Sequence, residues 1–186
     1  MGIEHFFVIQ ESATVRLDIR YASTDNFTGA VLPGYHKAKA WLIEDCRLPF
    51  ERAHKWLNAK GLGLIVWDAY RPRKATLAML EWARAQNRWD LVLDGYIAEN
   101  SRHNSAAALD VGLFQLADGE PLDMGSEWDC FESISNTYNV SGDALRNRLL
   151  LREGMMQAGW EPYDVEWWHF ELPAVEVRAT FDVAYC

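Results

Sequence analysis

Leu62-Gly63-Leu64-Ile65-Val66-Trp67-Asp68-Ala69-Tyr70-Arg71-Pro72 is the stretch whose reading decides the fold. Leu62 to Trp67 is a short apolar run without polar alternation, which reads as a buried strand. Asp68 ends it. Pro72 then opens a helix to about Gln86, with Ala75, Met79, Leu80 and Ala83 facing inward. On the N-terminal side, a helix is expected from Pro49 to Lys60. Phe50, Ala53, Trp56 and Leu57 share one face, and Gly61 supplies the left-handed cap. Val15 to Tyr21 alternates like a strand, and Asp25 to Gly34 reads as a loop. On the C-terminal side, Leu109–Leu116 and Val165–Leu172 read as strands. Between them lies a helix from Asp143 to Ala158, capped by Ser141 or Asp143 and stopped by Gly159, with Gly154 weakening its last turn. Strands and helices mix without a regular βαβ rhythm, so the fold class is α+β. No repeat or linker interrupts the chain, so residues 1–186 are expected to form a single domain.

Composition narrows the function. Hydrophobic residues make up 49% and charged residues 24%, an ordinary globular balance. The net charge of -9 argues against nucleic acid and against an anionic membrane surface, because both need clustered positive charge. A small zwitterion held in a local pocket remains open. Cys46, Cys130 and Cys186 form no CxxC spacing, so neither a disulfide framework nor a cysteine metal knuckle is expected. Scattered cysteines fit reduced thiols, and Met1–Ser12 carries no signal-like pattern, so a cytoplasmic location is expected.

Among five histidines, two sit in unusual company. His103 precedes Asp110 by seven residues, and His169 follows Glu166 by three. A hydrolytic zinc site needs three protein ligands and an open position. His103, Asp110 and His169 could supply the three. The spacings are ambiguous. Seven residues match one face of a helix but opposite faces of a strand, and three residues present the same problem. Either one member of each pair sits in a turn beside its strand, or the segments are helical. Glu166 is the candidate base for an attacking water, and its bland alternative is a surface glutamate. Arg71 could face the oxyanion of a tetrahedral intermediate, or could simply pair with Asp68. Trp167, Trp168 and Phe170 by themselves read as core.

These residues carry a resemblance to the D-alanyl-D-alanine dipeptidases, zinc enzymes of the vancomycin-resistance type. It runs through Asp18-Ile19-Arg20-Tyr21-Ala22, Asp25-Asn26-Phe27-Thr28-Gly29 and Trp67 to Pro72. It continues through Ser101-Arg102-His103 to Asp110, Met124-Gly125-Ser126-Glu127-Trp128-Asp129, Glu166-Trp167-Trp168-His169-Phe170 and Phe181-Asp182. The resemblance implies one zinc per chain on His103, Asp110 and His169, with Glu166 as general base and acid and Arg71 as transition-state clamp. It implies substrate contacts from Tyr21, Asp68, Ser101 and Asp129, the acidic ones toward the substrate ammonium. It also implies a central, mostly antiparallel sheet flanked by helices. The expected activity is hydrolysis of free D-Ala-D-Ala. The alternatives are a carboxypeptidase trimming longer wall peptides and a zinc-retaining module without catalysis. Oligomeric state stays open. One departure stands out: the family has glycine and alanine three and five residues after its first histidine ligand, and here both positions, Ala106 and Ala108, are alanine. A positive φ at Ala106 would strain the backbone by about 1 kcal/mol or more.

Overall fold

The Leu62–Trp67 run forms an interior strand of the main sheet. The structure is a computed structural model that describes residues 6–173 and 180–185; Met1 to His5 and Cys186 lie outside the described residues. In chain order the elements are β1 (Phe6–Ile9), β2 (Val15–Leu17), β3 (Ala40–Ile43), α1 (Arg47–Asn58), β4 (Leu62–Asp68) and α2 (Arg73–Ala85). There follow α3 (Asp90–Leu93), β5 (Ala108–Gln115), α4 (Gly142–Gln157), β6 (Glu161–Pro162) and β7 (His169–Glu171). β1 and β3 form a small antiparallel pair, and the main sheet has the order β2-β4-β5-β7-β6. Only β2–β4 is parallel, so the main sheet is mostly antiparallel, and the domain is α+β.

β4 is buried along its whole length and β5 along all but its last residue, which explains their unbroken apolar patterns. α1 packs on β4 and α4. Gly154 permits that contact, because a Cβ there would lie 2.8 Å from the Trp56 ring and 3.0 Å from Leu57. The helix continues past Gly154 to Gln157. Ser141 occupies the N-cap position of α4 but makes no side-chain cap bond.

Two expected strands are shorter than their patterns. β2 stops at Leu17, and Tyr21 sits instead in a 3-10 turn, Arg20–Ala22. The Val165–Leu172 segment is extended only at β7, because the Trp167 amide bonds to the Ser135 carbonyl (3.1 Å) and leaves the ladder. Register then aligns the chemistry. Asp68 on β4 pairs with Asp110 on β5, and Asp110 pairs with His169 on β7. Directly paired residues share a sheet face, so three polar side chains from three strands line up in one row.

Candidate metal centre

His103 joins this row from a 3-10 turn, Arg102–Ser105, immediately before β5. Ser101 caps that turn, its hydroxyl accepting the His103 amide at 3.3 Å. The turn ends at Ala106, whose backbone is left-handed at φ 56°. That reversal brings His103 beside Asp110 although seven residues separate them. Glu166 likewise lies in the turn that precedes β7, while His169 opens the strand. One member of each pair therefore sits in a turn.

His103 Nε2 lies 3.2 Å from Asp110 Oδ1 and 3.1 Å from His169 Nδ1, and His169 Nδ1 lies 3.0 Å from Asp110 Oδ1. The other ring nitrogens have acceptors. His103 Nδ1 is 2.6 Å from the Ala69 carbonyl, and His169 Nε2 is 3.2 Å from Glu171 Oε1. Those acceptors draw the N–H protons outward in the neutral rings and leave two lone pairs and a carboxylate oxygen facing one point. Tetrahedral zinc with bonds of about 2.0–2.1 Å has ligand–ligand edges of about 3.3–3.4 Å. The observed triangle is close to that size, and the donor set of two imidazoles and one carboxylate suits a divalent transition metal.

Burial alone would lower the His169 pKa, but its bonds to Asp110 and Glu171 push it up to about 10. Burial would raise Asp110, yet the two histidines hold it well below the usual carboxylate range. The carboxylates beside His169 thus favour positive charge at the centre.

Around it lies a cavity of about 240 Å³, lined among others by Tyr21, Arg71, Ser101, Asp129 and Glu166. Glu166 is 9% exposed, makes no side-chain hydrogen bond among the described residues, and is pushed up to about 8 by burial. Asp129 accepts the Tyr21 hydroxyl at 2.7 Å, and burial pushes its carboxyl up to about 8 as well. Asp68 is placed differently. It does not line the cavity. Its carboxylate accepts Tyr35 Oη (2.5 Å), the Ala69 amide (2.9 Å) and two Arg71 nitrogens (2.9 and 2.8 Å). Arg71 is therefore paired with Asp68 and also lines the cavity.

Comparisons with known proteins bear on this arrangement. The family model described as D-ala-D-ala dipeptidase matches residues 3–184. The chain belongs to that family. It is 32% identical over 173 residues to a D-alanyl-D-alanine dipeptidase of Enterococcus faecium, covering 85% of this chain and 86% of the relative. A namesake from Escherichia coli is 35% identical over 161 residues, with 86% and 79% covered. One from Streptomyces coelicolor is 31% identical over 181 residues, with 89% and 90% covered. Membership makes the chain a metallopeptidase, and a possible metal triad stands where such an enzyme needs one.

Sequence reasoning passed over the groups that orient the triad. Trp128 Nε1 donates to Asp110 Oδ2 at 3.3 Å, and Glu171 accepts from His169. Glu171 was within reach of pattern reading, because a strand places it on the same face as His169 two residues earlier. The Ala69 carbonyl left no sequence signal at all.

Proposed function

We propose that residues 1–186 act as one zinc dipeptidase unit that hydrolyses free D-Ala-D-Ala to two D-alanines in the cytoplasm. The observation that carries this reading is the convergence of three donors beside a buried glutamate whose carboxylate makes no hydrogen bond among the described residues. His103, Asp110 and His169 would hold one zinc ion, which supplies Lewis acidity to the scissile carbonyl and to water. Glu166 takes the proton of the attacking water and returns it to the leaving amine. A cation in the centre favours the ionised form of Glu166 that this role requires. Arg71, held by Asp68, faces the oxyanion with little reorganisation. Tyr21 and Asp129 receive the substrate ammonium, and Ser101 assists in holding the dipeptide. Asp68 acts through Arg71. The free thiols Cys46 and Cys130 suit a reducing compartment.

A buried carboxylate such as Asp129 is costly unless a cation pairs with it. Acetylating the substrate N-terminus removes that cation. Losing such a charged contact costs roughly 2–5 kcal/mol, or about one and a half to nearly four orders of magnitude. The test compares kcat/KM for D-Ala-D-Ala and N-acetyl-D-Ala-D-Ala on the zinc-loaded protein. A large preference for the free dipeptide is expected, and equal values would replace this reading with that of a carboxypeptidase.

A further inference from the structure

A zwitterionic dipeptide brings two charges, and Asp129 addresses only the ammonium. Its carboxylate must enter a cavity lined by Asp110, Asp129, Glu166 and Glu171. An anion there needs a nearby cation. Two arginines line the same cavity, Arg71 and Arg102. The Nε and Nη2 of Arg71 are committed to Asp68, and its Nη1 lies 3.5 Å from Met79 Sδ.

Arg102 is held more loosely at its charged end. It follows Ser101 and opens the turn that carries His103. Its Nη2 donates to the Leu172 carbonyl at 2.8 Å, which anchors the guanidinium. Its Nε lies 3.5 Å from Glu171 Oε2 and is buried without a hydrogen bond. Among the described residues, Nη1 makes no hydrogen bond. The Glu171 carboxylate is itself shared, because Oε1 faces His169 Nε2 at 3.2 Å. Glu171 therefore compensates Arg102 only in part. The side chain is 22% exposed, so it is ordered yet reachable.

We propose that Arg102 is a specificity-determining residue that pairs with the free C-terminal carboxylate of the substrate, beside Ser101. The inference rests on the dipeptidase reading and deepens it, since the site then reads both termini of a dipeptide. A planar guanidinium anchored on one side can bind a carboxylate through its remaining donors without ordering the whole side chain on binding.

The test measures kcat/KM for D-Ala-D-Ala and for its C-terminal amide, together with zinc content, on the zinc-loaded protein. The parent should prefer the acid by about 10- to 100-fold, the scale of a hydrogen bond to a charged group. Arg102→Met should lose that preference through KM, with amide turnover and zinc stoichiometry unchanged. Arg102→Lys keeps the charge but not the fork and should retain part of the preference. Removing Arg102 also leaves Glu171 uncompensated, and that charge alone could repel the acid. Adding Glu171→Gln to Arg102→Met removes this repulsion while keeping an acceptor for His169. The preference should stay lost in the double variant. Its recovery would show that Arg102 only neutralises Glu171 and would overturn direct pairing. An undiminished acid preference in Arg102→Met would overturn it too. A parent inactive on both substrates would sink the dipeptidase reading and this inference with it.

Discussion

Replacing Asp68 by asparagine changes one charge and almost no volume. The carboxylate is fully buried, and two of its five polar contacts go to Arg71, which is 9% exposed, and one to His103 Nδ1 at 3.5 Å. Asparagine keeps one carbonyl acceptor, so the change isolates the lost charge from any cavity effect. Breaking a buried ion pair by removing one partner costs about 3–5 kcal/mol, because the other charge stays uncompensated. Asp110 Oδ2 lies 3.9 Å from Arg71 Nη2 and retains some compensation, which places the expectation near the lower end, about 3 kcal/mol. Domains of this size have total stabilities of about 5–15 kcal/mol, so the loss is a large fraction. It corresponds to roughly 6–12 °C in Tm. The assay is urea unfolding at pH 7 on chelated protein, so that metal linkage does not mask the change. Asp68→Asn/Arg71→Met should be less destabilised than the sum of its single variants, with a coupling of about 2 kcal/mol or more. A loss below about 1 kcal/mol for Asp68→Asn would refute the argument that Asp68 holds a buried, charge-dependent clamp.

The other expectations concern the centre and the cavity. Chelation should abolish turnover and added zinc should restore it, whereas His169→Ala should lose stoichiometric binding; normal zinc content in that variant would remove His169 from the ligand set. Zinc affinity, followed by competition with a chromogenic chelator, should weaken toward acid, because a proton competes for the site that His169 and Asp110 share. Glu166→Gln should keep zinc and lower kcat by about two to four orders of magnitude; activity within a few-fold of the parent would exclude Glu166 as the base. Arg71→Lys should lower kcat more than it raises KM, since the contact forms mainly in the transition state; a change confined to KM would make it a ground-state contact. Asp129 has a folded pKa raised to about 8, so its penalty is absent below the unfolded value near 4 and grows as pH rises toward 8. Metal-free protein should therefore lose urea stability across that window, and Asp129→Asn should flatten the loss.

Much of the scaffold was legible because its signals are local. The apolar run before Asp68, the Gly61 cap and the 3.6-residue spacing of Ala75, Met79, Leu80 and Ala83 each report on a few neighbouring residues. β1 and β3 were missed, since four-residue strands pair across more than thirty residues and leave no local mark. The last strand is shorter than the Val165–Leu172 pattern. Tertiary bonds decided otherwise, with Trp167 Nε1 donating to Ser126 Oγ at 2.9 Å and its amide to Ser135. In the site, residue types pointed to the triad, but spacing could not choose between helix and turn. That choice was made by the left-handed reversal at Ala106 and by the strand register of Asp110 and His169. Asp68 illustrates the opposite limit: its type and its position beside Arg71 were visible, but only packing shows that it supports the arginine from outside the cavity.

Ala106 shows how the chain tolerates a left-handed alanine in the turn that carries His103. Its φ of 56° costs an alanine about 1–2 kcal/mol relative to right-handed backbone. The turn is nevertheless over-determined: the Ala106 amide donates to the His103 carbonyl at 3.0 Å, and its own carbonyl accepts the Ile43 amide at 3.0 Å and faces Cys46 Sγ at 3.8 Å. Glycine would relieve the strain but would give up a fully buried methyl, about 0.8 kcal/mol. It would also add about 0.4–1 kcal/mol of unfolded-chain entropy. The two sides nearly cancel. Alanine therefore holds the reversal that sets His103 against Asp110 at little net cost, and the bonds from β3 and from the His103 carbonyl keep the triangle of donors in register despite the strain.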